Sequence, residues 1–151
     1  MKNILIMSIM IALGLYGCAL RQTPEPQTTP PANPQADKAT LVGRLVDAQT
    51  GDHLVNLIGR LASVIREGDG GFFILDLAQS PGANVDPNGY FIFENVDPEE
   101  YVLTIGYGEN IADYVTVQNS DGTAKVWSTQ AGQIIDMGTI RITYPAYRPT
   151  P

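Results

Sequence analysis

Between Asp86 and Ile105 the chain reads DPNGYFIFENVDPEEYVLTI, with large apolar side chains at every second position on either side of a polar break. Phe91 and Phe93 share one face of an extended segment, and Tyr101, Leu103 and Ile105 share one face of the next. The pattern predicts strands at Tyr90 to Phe93 and Tyr101 to Ile105, paired as an antiparallel hairpin that sends five large apolar groups into one core. Asp86-Pro87-Asn88-Gly89 is the turn ahead of them, because proline presets φ at its second position and Asn and Gly tolerate positive φ.

The same alternation marks Thr40 to Asp47, where Leu41, Gly43 and Leu45 face one way and Val42, Arg44 and Val46 the other. Asp47 to Asp52 follows as a turn, with Gly51 in the left-handed region. Val55 to Ile65 is predicted as a strand broken by Gly59, as a bulge or close contact would require. Leu54, Ile58, Leu61 and Ile65 also fall at helical spacing, so an amphipathic helix competes there. Arg66 to Gly71 is a flexible turn, Phe72 to Leu77 a short strand able to pair with its predecessor, and Ala78 to Val85 a loop. After a glycine-bearing loop at Gly106 to Ala112, strands are expected at Tyr114 to Gln118 and Ala124 to Ser128, around the turn Asn119-Ser120-Asp121-Gly122. Ile134 to Tyr144 is the last strand, and Pro145 to Pro151 a flexible tail. Short strands at regular intervals, with no long helical run, predict an all-β, antiparallel Greek-key β-sandwich of about seven to eight strands.

The amino-terminal pattern is different. Lys2 precedes an apolar run from Ile4 to Leu15 that is too short to read as a spanning helix and fits an export signal over residues 1–17. Leu15-Tyr16-Gly17-Cys18 resembles the lipobox of bacterial lipoproteins, which implies that Cys18 becomes the acylated first residue of the mature chain. The competing reading makes Cys18 an apolar residue inside the leader. Each buried CH₂ of an acyl chain contributes about 0.8 kcal/mol, so several chains on one cysteine give lasting attachment to a cell membrane or outer membrane. Cys18 is the only cysteine of the sequence, so the exported domain has no disulfide and rests on its core.

Residues 18–39 hold a proline-rich tether that reaches up to about 60 Å in the extended polyproline form. Residues 40–144 are the predicted domain. The formal net charge is −7, and loss of Lys2 with the leader leaves 16 acidic against 8 basic side chains, or −8. No basic patch or arginine-rich helix accompanies it, which argues against nucleic acid and assigns membrane attachment to the lipid.

The order of these features is similar to the carboxypeptidase regulatory-like domain, a transthyretin-like (prealbumin-like) sandwich. Gly43, Asp47 and Gly51 match in the opening strand and turn; Asp86, Gly89, Phe91 and Phe93 match in the next turn and strand. Val96, Pro98 and Tyr101 follow, and Gly132 and Gly138 flank the closing strand. The resemblance covers about Thr40 to Thr143. It implies a non-catalytic accessory or binding module. Glu100 stands where the family usually has glycine, which predicts a loop of different shape, and the longer stretch Arg66 to Val85 predicts an added hairpin.

Catalytic chemistry finds little support. The one histidine, His53, sits beside a predicted turn with neither a nucleophile motif nor a metal motif around it. Asp97, Glu99 and Glu100 read as a solvated charge cluster rather than a paired acid and base. Asn84 to Gly89 superficially matches the start of a calcium loop, but its twelfth position is Asn95, which cannot supply a bidentate carboxylate. Lys38 precedes the first strand as a crosslinking lysine would, yet the closing strand has no asparagine to receive it.

No enzyme activity, metal or cofactor is therefore expected. Tyr107, Tyr114 and Trp127 are the candidate ligand-binding residues, with Tyr144 and Tyr147 as further aromatics, although core packing competes for Trp127. The sequence thus predicts a structural or protein-binding module of the cell envelope, or alternatively a carbohydrate-binding module. Aromatics aligned on one sheet face would favour sugar, whereas a pairing-competent edge strand or apolar patch would favour protein.

Overall fold

The computed structural model describes residues 33–68 and 70–144. The expected leader with Cys18, most of the expected tether, and the expected tail with Tyr147 lie outside the described residues. Nine strands follow in order: β1 (Ala39–Asp47), β2 (Ile58–Glu67), β3 (Gly70–Ile74), β4 (Gly82–Asn84), β5 (Tyr90–Val96), β6 (Glu100–Gly106), β7 (Val115–Thr116), β8 (Val126–Ser128) and β9 (Ile134–Ile142). They form two sheets. One runs β5-β1-β9; the other runs β3-β2-β6-β7, with β4 also beside β2 and β8 beside β6.

Period-two patterning placed the side chains correctly but not the strand partners. Phe91, Phe93, Tyr101, Leu103 and Ile105 are each 2% exposed or less and enter one core. Yet β5 and β6 do not form the expected hairpin. β5 pairs with β1, placing Phe91 opposite Gly43, while β6 pairs with β2, placing Leu103 opposite Leu61. The link between them crosses from one sheet to the other. Asn95 turns the end of β5 with φ 53°, and the Tyr101 hydroxyl donates back to the Asp97 carbonyl at 3.0 Å, the geometry of a tyrosine corner. Buried Thr129 holds the same link: its hydroxyl accepts from the Glu99 N–H at 2.8 Å and lies 2.8 Å from the Glu99 carbonyl.

One ladder departs from the antiparallel expectation, because β1 and β9 run parallel, with Leu41 beside Ile135 and Leu45 beside Ile140. The segment 58–67 is a strand and not the competing helix. It begins at Ile58 rather than Val55 because Asn56 takes φ 59° and interrupts the extended chain. Gly59 is a close contact: a Cβ there would lie 3.0 Å from the Phe93 ring. Glu100 opens β6 without the positive φ that its place in the resemblance suggested; that conformation falls on Asn95 instead. The stretch expected as a plain loop after residue 77 contains β4, so β2 is flanked on one edge by two short strands, with residues 75–81 between them. Every buried apolar residue among the described residues lies between Ala39 and Tyr144.

Candidate functional site

β2 is longer than the core it serves. Leu61 and Gly59 point inward, so alternation also sends Ser63 and Ile65 to that face, but the register with β6 ends at Ser63 and Ile65 stands in solvent. β3 pairs with this projecting half in the register Ser63 to Ile74, Val64 to Phe73 and Ile65 to Phe72. Ile65 is 41% exposed, Phe72 49%, Phe73 38% and Ile74 50%. All five residues of β3 are exposed, and the strand lies at the end of the sheet order. Its outer side therefore presents main-chain donors and acceptors together with apolar groups on both faces.

Local sequence explains why the strand starts where it does. A Cβ at Gly71 would lie 2.6 Å from the Ile65 carbonyl oxygen, so only glycine permits β3 to approach β2 this closely. Below the hairpin, Arg66 Nε donates to Glu100 Oε2 at 2.6 Å and Nη2 to Oε1 at 3.0 Å; Ser128 Oγ adds a donor at 3.2 Å. These bonds brace β2 against β6 and β8. The hydrogen bond from Arg66 also holds the Glu100 carboxyl below its ordinary range. At the far end, Asp76 Oδ1 accepts the Ala78 N–H at 2.8 Å and the Ser80 hydroxyl approaches the Asp76 N–H at 3.0 Å, turning the chain back towards β4.

The predicted aromatic candidates do not form one platform. Tyr107 is 65% exposed. Tyr114 is half-buried with its ring over Gly106; its hydroxyl donates to the Gly108 carbonyl at 3.0 Å and accepts from Arg60 Nε at 3.3 Å. Trp127 faces the core opposite Tyr101 and is 8% exposed, with Lys125 Nζ 4.9 Å from its ring centre. Tyr144 is also buried and donates to the Asp113 carbonyl at 2.7 Å, fastening the connection between β6 and β7.

Other candidates serve the turns and edges. His53 Nε2 accepts from Arg44 Nη2, and Arg44 lies 5.2 Å from the centre of the Tyr90 ring. Asp86 Oδ1 accepts the Asn88 and Tyr90 N–H groups at 2.8 Å each, so the carboxylate builds the turn. Lys38 Nζ meets Asp97 Oδ1 at 2.6 Å, and the Gln35 N–H reaches Asn95 Oδ1 at 3.2 Å, which fastens the residues ahead of β1 to the link between β5 and β6. No cluster of three or more His, Cys, Asp or Glu side chains able to hold a metal occurs among the described residues.

The residues missed from sequence are Ile65, Phe72, Phe73 and Ile74. Their signal was a run of large apolar residues without alternation, flanked by Arg66 and Glu67 on one strand and by two glycines on the other.

No family model matches the chain, and no curated protein does. Among solved structures, it is similar to a proposed carbohydrate-binding protein from Pseudomonas aeruginosa, at 15% identity and a TM-score of 0.42 over 74% of this chain and 92% of the other. It is also similar to part of a 9R-lipoxygenase from Cyanothece, at 18% identity and a TM-score of 0.45 over 76% of this chain, but only 18% of the lipoxygenase.

Proposed function

We propose that this chain is an exported, lipid-anchored and non-catalytic β-sandwich of the cell envelope, attached through Cys18, that binds an extended protein segment along the outer edge of β3. The observation that carries this reading is the exposure of Phe72, Phe73 and Ile74 on a strand with a sheet neighbour on only one side. Strand addition to such an edge gains main-chain hydrogen bonds, and the alternating side chains supply selectivity. The order of residues resembling the carboxypeptidase regulatory-like domain agrees with a module of this kind. Sugar binding draws less support, because Trp127 and Tyr144 are buried and the hydroxyl of half-buried Tyr114 is taken up by Arg60 and the Gly108 carbonyl.

Site-specific photocrosslinking in intact cells tests the reading. A photoreactive phenylalanine at position 73 should yield discrete protein adducts, whereas the same group at Tyr107 should not. Adducts at 107 with glycan, and none at 73, would replace this proposal with carbohydrate binding.

A further inference from the structure

Resting on the reading of β3 as a binding edge, we infer that the segment it receives is β3 of a second copy of this chain, paired antiparallel about a two-fold axis. Such a pair keeps each sandwich's inner face on the same side only when opposed residues have matching parity, because side chains alternate along a strand. Among those registers, the one centred on Phe72 uses the whole of β3. It sets Phe72 opposite the partner's Phe72, Gly71 opposite the partner's Phe73, and Gly70 opposite the partner's Ile74.

Each glycine thus faces a large apolar residue, an arrangement in which the larger group covers the bare backbone. Both glycines leave that room. Gly71 must be glycine because of its approach to Ile65, and a Cβ at Gly70 would meet nothing nearer than the Glu67 carbonyl oxygen at 3.7 Å. None of the five paired residues on either strand is charged, so the net negative charge of the chain places no like-charge pair within the ladder. On the inner face, Ile65, Phe72 and Ile74 of the two copies would meet as one apolar strip. On the outer face, Phe73 of each copy would lie over the partner's Gly71. The result is a continuous sheet running from β7 of one copy through both β3 strands to β7 of the other.

Thiol crosslinking tests this in the full-length protein carrying Cys18→Ser, purified in mild detergent, with one cysteine introduced at a time. Phe72→Cys should give on the order of tenfold more covalent dimer with a short thiol crosslinker than Ile111→Cys, an equally exposed site elsewhere, because pairing raises the local concentration of opposed thiols. Ile74→Cys should crosslink poorly to itself but well to Gly70→Cys in a mixture. Phe72→Lys, which sets two ammonium groups across the axis, should abolish dimer crosslinking through a cysteine at 70 mixed with one at 74, with circular dichroism unchanged. Equal crosslinking at 72 and 111 would overturn self-pairing.

A fluorescent peptide with the sequence of residues 70–76 then separates the two readings. Peptide binding that Phe73→Lys removes, without crosslinking at 72, would leave the binding edge standing with another partner. Loss of both would remove the edge as well.

Discussion

Phe91 lies across the ladder from Gly43 so closely that a Cβ on residue 43 would sit 2.5 Å from the Cζ atom of the ring. The ring fills the volume that any larger residue would need, and Phe93 packs edge-on against it with centroids 5.7 Å apart. Gly43→Ala should therefore destabilise the domain by about 1–3 kcal/mol through overpacking, and Phe91→Ala by about 3–5 kcal/mol through the cavity it leaves. Urea denaturation should show the two changes to be non-additive, since the cavity of the second relieves the clash of the first.

Thr129 holds the crossover between β5 and β6 from inside the protein. Its hydroxyl accepts from the Glu99 N–H and contacts the Glu99 carbonyl, so Thr129→Val keeps the shape and removes both contacts. A loss of about 0.5–1.5 kcal/mol in chemical denaturation is expected, the net worth of a hydrogen bond, because the Glu99 N–H keeps the Asp97 carbonyl at 2.9 Å as its other acceptor. Thr129→Ser, which retains the oxygen, should recover most of it.

Tyr101 makes the fold sensitive to alkali. Burial, followed by the nearby charges of Glu99 and Asp97, pushes its phenol up to about 12, against about 10 in an unfolded chain. The folded state therefore favours the neutral phenol. Its contribution is complete below about pH 10 and is lost as pH rises towards about 12. Denaturation midpoints measured across that window should fall more steeply for the native chain than for Tyr101→Phe. Lys38, raised by its hydrogen bond to Asp97, also titrates at high pH; the Tyr101→Phe comparison isolates the phenol's share.

The anchor has its own test. Cys18→Ser should abolish incorporation of labelled fatty acid into the protein, and mass spectrometry of the native chain should find diacyl or triacyl mass on residue 18. An unmodified amino terminus would remove the lipid from the account.

What could be read in the sequence follows from what local patterning encodes. Period two told which face of β5 and β6 enters the core, because burial selects alternate residues. It did not tell which strands pair. A short polar link at Asp97 to Glu99 suits either a hairpin or a corner between sheets, and the choice was made by Asn95, Tyr101 and Thr129 acting together in space. The parallel contact of β1 with β9 joins segments about a hundred residues apart and has no local signature. The exposed edge was hidden for another reason. Phe72, Phe73 and Ile74 look like an ordinary buried strand, yet they pair with the half of β2 that runs on past its register with β6, and they stand in solvent.

Amide hydrogen exchange across β3 addresses the binding edge most directly. With dilute protein, the amides of residues 70–74 that point away from β2 should exchange much faster than those of β6, and raising the protein concentration or adding the residue 70–76 peptide should protect them while leaving β6 unchanged. Strong protection of all β3 amides at every dilution, or fast exchange that neither concentration nor peptide alters, would contradict an edge open to pairing.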